Sequence, residues 1–252
     1  MLTVSDTAYA IATVRAAEAN ITEGRLFEDP YAAIFAAAGG HAAEGTDLLM
    51  AMPFFPEGIR LRTRAIDVHV LAAIESGTRQ LVLMGAGFDA RALRLEPVVT
   101  TSTHAFEIDK AELLEQKQAA LARAGVELPS RIQTIATDFG DDFEAPLRAA
   151  LAERGFDRER PAVFVWEGVI PYLGPDAVAR CLRFMADLGA AGTRLVFDYS
   201  PISFDPDTAR ARVLQAGFTH FESVTLETEW RRHWTSAPHP NASFFEVALA
   251  SK

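Results

Sequence analysis

From Gly77 onward short apolar runs alternate with longer helical stretches, and that alternation constrains the fold more than any other feature. Gln80 to Met84, Thr103 to Ile108, Ile132 to Ala136, Ala162 to Trp166 and Thr193 to Tyr199 read as buried strands. Lys110 to Ala124, Asp141 to Arg154, Pro175 to Leu188 and Asp207 to Ala216 carry helical patterns between or after them. Parallel neighbours need a crossover, and crossovers are right-handed, so the pattern predicts an α/β fold on a doubly wound, mostly parallel sheet. Phe218 to Val224 and Ser243 to Ala250 add two strand candidates without a strong helix between them, expected as an antiparallel pair at the sheet's end.

The residues before Gly77 read as helical, over Ser5 to Asn20, Tyr31 to Ala38 and Gly58 to Gly77. His41 to Glu57, interrupted by Pro53 and Pro56, reads as loop or broken helix. The expected organisation is a helical cap or substrate region over 1–77 and a ligand-binding α/β unit over 78–252. Net charge is -10, from 24 Lys+Arg against 34 Asp+Glu, the wrong sign for bulk nucleic acid or an anionic membrane. Cys181 is the single cysteine, which excludes an intrachain disulfide and a multi-thiolate metal site and predicts a reducing, cytoplasmic setting. No apolar run reaches the ~18 residues of a membrane span, and the N-terminus does not read as a signal peptide.

Ligands of open parallel sheets lie beyond the carboxyl ends of the strands, so the residues there are the site candidates. The first strand ends in Gly85-Ala86-Gly87, where the backbone can turn sharply and approach a nucleoside. The second ends in Glu107-Ile108-Asp109, at the distance where nucleotide-binding domains place a ribose-binding carboxylate. Asp109 also suits an N-cap. The third ends in Asp138-Phe139, suited to an adenine amino group and ring face, or to a cap and a core ring. The fourth ends in Glu167-Gly168, then Pro171-Tyr172; Glu167 fits a cleft, or a pair with an arginine. Two chemistries suit a GxG turn plus a carboxylate: hydride transfer on NAD(P), and methyl transfer from S-adenosylmethionine.

The run Leu81 to Leu95, then Phe106-Glu-Ile-Asp109 with Lys117, Thr137-Asp-Phe139 and Glu167-Gly-Val-Ile-Pro-Tyr-Leu173 together resemble the leucine carboxyl methyltransferase family, bacterial branch. Arg15-Ala-Ala-Glu18, Leu26 to Tyr31 and Arg62-Thr-Arg64 with Asp67 extend the resemblance toward the N-terminus. The turn lacks a threonine often found after Asp89, Pro171 replaces a common methionine, and the chain after Ser200 matches poorly. The resemblance implies a seven-stranded Rossmann-like methyltransferase using S-adenosyl-L-methionine and releasing S-adenosyl-L-homocysteine. It implies Arg62 at the methionine carboxylate, Gly85 and Gly87 at the methionine part, and Asp109 at the ribose with Glu107 as neighbour or alternative. Asp138 and Phe139 would hold adenine, and Glu167 the methionine amino group. The expected acceptor is a carboxylate or hydroxyl of a small molecule; a protein C-terminal carboxylate and a binding protein without catalysis are the alternatives. A carboxylate needs no general base, whereas a phenol near pKa ~10 does. His41, His220, His233 and His239 are loose candidates, Tyr172 and Arg15 weak catalytic ones, and Arg15, Arg25 or Arg60 could face an anionic acceptor.

Overall fold

The structure is a computed structural model that describes residues 4–39, 43–140 and 142–252. His41, and the helix start expected at Asp141, lie outside the described residues. Four helices come first: α1 (Val4–Ala17), α2 (Ala32–Ala38), α3 (Ala43–Met50) and α4 (Phe55–Glu75). Then follow β1 (Gln80–Met84), the short α5 (Arg91–Arg94) and α6 (Glu96–Thr100), β2 (His104–Asp109), α7 (Ala111–Arg123), β3 (Ile132–Ala136) and α8 (Glu144–Glu153). The chain continues through β4 (Val163–Trp166), α9 (Pro175–Leu188), β5 (Arg194–Tyr199), α10 (Pro206–Gln215), β6 (His220–Thr225), α11 (Leu226–His233) and β7 (Glu246–Ser251).

The seven strands form one sheet in the order β3-β2-β1-β4-β5-β7-β6. β1 to β5 pair in parallel, and β7 runs antiparallel between β5 and β6. Every residue of β1 is buried, because helices cover both faces of the sheet. Strand alternation sends Leu81 and Leu83 toward Ile66, Val70 and Ile74 of α4, and Val82 and Met84 into the opposite core with Phe106, Phe164 and Leu182. The winding reverses between β1 and β4, which opens a crevice at their carboxyl ends.

Two expectations are corrected. Of the two readings of His41 to Glu57 the described residues take the broken helix, α3 ending at Met50, but α4 begins at Phe55 rather than Gly58, since Pro56 occupies a first helical turn where its missing N–H costs nothing. A helix, α11, does separate β6 and β7; Thr225 caps it by accepting from Thr228 N, and Leu226, Trp230 and Trp234 pack on the α4 side of the core.

Candidate functional site

A cavity of about 300 Å³ lies at the carboxyl ends of β1 to β4, roofed by α1 through Thr7, Ala8, Ile11 and Arg15. Gly85 and Gly87 sit in its floor with φ of +78° and +42°. A Cβ on Gly85 would stand 2.2 Å from Val169 Cγ2, so only glycine fits that turn. Asp109 is held from both sides, Oδ2 accepting from Gly87 N at 2.6 Å and Oδ1 from Lys110 N at 2.7 Å. Burial raises the Asp109 pKa against the opposing pull of those N–H groups. It does not cap α7, whose N-cap is Lys110. Asp138 accepts from Gly140 N at 2.9 Å and pairs with Lys110 Nζ at 2.8 Å, which lowers its pKa. Phe139 lines the same cavity while meeting Phe143 edge-on in the core.

Glu167 also reaches the cavity, but three guanidiniums hold it. Arg15 Nη2 lies 2.8 Å and Arg62 Nε 2.9 Å from Oε1, and Arg91 Nη1 lies 2.5 Å from Oε2. Burial opposes ionisation there, yet Arg15, Arg91 and Arg62 outweigh it and hold the carboxyl well below the usual range. The belt continues outward. Arg62 Nη1 donates to Asp198 Oδ2 at 2.9 Å, Arg91 donates to Asp67 and Asp89, and Arg94 pairs with Asp67. Asp198 Oδ1 accepts from Gly168 N at 2.6 Å, and burial pushes its pKa up against the pull of Arg62. Arg62 Nη2 is buried with no partner and lies against Gly168, where an added Cβ would be 3.6 Å away.

The structure therefore brings together Arg15, Arg62, Gly85, Gly87, Asp109, Asp138, Phe139, Glu167 and Tyr172 around one cavity. Glu107 is the exception. It is fully buried 2.8 Å from Lys117 Nζ, outside the cavity lining, because α7 brings Lys117 over β2. Tyr172 donates its hydroxyl to Thr7 Oγ1 at 2.7 Å, and so ties β4's exit loop to α1. Arg25 and Arg60 are engaged with Glu28 and Glu18, and His220, His233 and His239 line neither this cavity nor its neighbour. The sequence pattern gave no role to Arg91, Asp89 or Asp198, which join one charged belt through Glu167 and Arg62 only once α4, α5, β4 and β5 are folded together.

A second cavity, of about 590 Å³, adjoins the first and shares Arg62 with it. Its walls come from the start of α4, the turn after β5 and the start of β7.

The sequence pattern of the leucine carboxyl methyltransferase family matches residues 8–186. A Mycobacteroides abscessus protein provisionally designated an S-adenosyl-L-methionine-dependent methyltransferase is 34% identical over 203 residues, covering 79% of this chain and 65% of that relative. A Mycolicibacterium paratuberculosis protein of the same designation is 31% identical over 266 residues, covering 96% and 86%. Another from that species is matched over 53% of its length, so the alignments with some relatives span only about half to two thirds of them. Among solved structures, a DUF574-family protein from Streptomyces avermitilis superposes with a TM-score of 0.60 at 16% identity, covering 98% of this chain and 97% of that one. A provisionally designated methyltransferase from Thermobifida fusca gives 0.57 at 16% identity, covering 99% and 94%. Those two likenesses speak to the fold.

Proposed function

We propose, on the premise that this chain belongs to the leucine carboxyl methyltransferase family, that it is an S-adenosyl-L-methionine-dependent O-methyltransferase of a small molecule. The carrying observation is the cavity at the β1–β4 edge, where a Cβ-free turn, a fixed carboxylate and an unpartnered guanidinium N–H converge. The donor set fits S-adenosylmethionine group by group. Arg62 offers Nη2 to the methionine carboxylate; Gly85 and Gly87 let the chain approach the methionine part. Asp109, already oriented by two N–H groups, accepts from the ribose hydroxyls. Asp138 and Phe139 flank adenine, and Glu167 faces the amino group. The buried Glu107 drops out of the set, so the ribose role falls to Asp109 alone.

When bound, that cofactor supplies an electrophilic methyl on a sulfonium. The protein's part is to align an oxygen with it and to exclude water. α1 roofs the first cavity and α4 contributes Arg62 to both, which supports the reading of the helices before β1 as a cap and substrate region. The family match removes the ground for a nicotinamide-dependent reductase. No described helix is long and apolar enough to cross a membrane, and buried Cys181 suits a cytoplasmic setting. Titration calorimetry with S-adenosylmethionine and S-adenosylhomocysteine tests the reading: both should bind at one site per chain, and absence of heat with either overturns it.

A further inference from the structure

The second cavity meets the proposed cofactor cavity at Arg62, and its chemistry selects among acceptors. It is walled by Phe54, Phe55, Ile59, Leu226, Phe244 and Phe245, with Phe244 56% exposed at its rim. A bicyclic aromatic fits about 590 Å³. Three charged groups among the described residues line it: Arg62, Asp198 and Glu246. The charge of Arg62 is already matched by Glu167 and Asp198, and its one open N–H goes to the methionine carboxylate in the cofactor reading, so the wall has no surplus positive charge to receive a second anion. A carboxylate acceptor entering this chamber would meet the Asp198 carboxylate across an apolar space with no unmatched cation beside it, which is costly at low dielectric; Glu246 is taken by the Tyr199 hydroxyl, which donates to it at 2.8 Å. A neutral hydroxyl meets no such repulsion and needs a proton acceptor instead.

Asp198 is the group placed to be that acceptor. It lines the second cavity but not the first, at the end of β5 beside the shared Arg62. Each oxygen accepts one fixed donor, Gly168 N to Oδ1 and Arg62 Nη1 to Oδ2, which leaves lone-pair capacity on both. The groups facing it are Arg62 from α4 and Glu167 beyond β4; Glu246 pairs across the strands with Tyr199, on the opposite face of the sheet from Asp198. No described histidine lines the chamber.

We propose that the second cavity binds an aromatic hydroxyl compound and that Asp198 is the general base for its methylation, an inference that rests on the cofactor reading above. The phenol oxygen bonds to the methyl carbon as the carbon–sulfur bond breaks, the bonding pair leaving with sulfur. The hydroxyl proton passes to Asp198, so the sulfonium charge and the carboxylate charge disappear together, and Asp198 later returns the proton to water.

The test uses naphthol, naphthoic acid and para-nitrophenol as acceptors. Wild-type protein that binds S-adenosylhomocysteine should bind naphthol, seen in naphthol's own fluorescence, and should methylate it in preference to naphthoic acid. Asp198→Asn should retain S-adenosylhomocysteine binding yet lose about 10²- to 10⁴-fold in kcat with naphthol. It should lose little with para-nitrophenol, which ionises without help, and its naphthol rate should recover as pH rises. Phe244→Ala, at the exposed rim, should raise the naphthol KM about tenfold with kcat unchanged. If S-adenosylhomocysteine binds but naphthoic acid is the better acceptor, or naphthol does not bind, or Asp198→Asn loses equally with both phenols, the proposal is overturned and the cofactor reading survives. If S-adenosylhomocysteine itself does not bind, both fall.

Discussion

Asp109 shows how a single side chain is fixed in place by the backbone around it. Its two oxygens are pinned by Gly87 N and Lys110 N, so neither can swing away, which is the orientation the proposed ribose contact requires. Asp109→Asn replaces one acceptor with an amide NH₂ that opposes an N–H donor. S-adenosylhomocysteine affinity should fall by about 1.5–3 kcal/mol, roughly ten- to hundredfold in Kd, as calorimetry would read it. Asp109 was legible as a lining residue of this edge because its position at a strand's end fixes where it faces. Glu107 was not, since alternation puts it on the same side of β2 as Asp109 while nothing in its neighbourhood announces that Lys117 will bury it. Arg15, Arg62 and Arg91 were visible singly, but their convergence on Glu167 from three separate helices is a property of the folded chain.

The β2–α7 unit carries its own buried charge, with Glu107 and Lys117 both inaccessible and Lys117 also donating to the Asp89 carbonyl at 2.5 Å. Lys117→Met would leave the carboxylate uncompensated and should cost about 3–5 kcal/mol in urea unfolding at neutral pH. Burial already raises the Glu107 pKa, and losing the lysine raises it further. The folded state of the variant then holds its proton more tightly than the unfolded chain does, so the deficit should shrink as pH falls and grow as pH rises. Adding Glu107→Gln should recover much of the loss. Elements with strong periodicity, such as β1 and the Ile66, Val70, Ile74 face of α4, were plain from the sequence. α11 was missed because eight residues rich in Glu and Arg dilute the Leu226, Trp230, Trp234 spacing that docks it.

Across the whole molecule, Glu167 ties α1, α4 and α5 to the end of β4. Its pKa is depressed in the folded state, so its contribution is present above the unfolded value near ~4.3 and is lost as pH falls through the folded value. Glu167→Gln should therefore lower neutral-pH stability by about 3–5 kcal/mol, with the difference from wild type closing in strong acid, as denaturant midpoints across pH would show. A single guanidinium, Arg62, is a wall of both chambers and is bonded to Glu167 on one side and Asp198 on the other. Whatever pulls that side chain by a fraction of an ångström from one room is felt in the next. Thermodynamic reciprocity then fixes a rule for the resting protein: if a first guest sharpens the grip on the second, the second must tighten the first by the same factor.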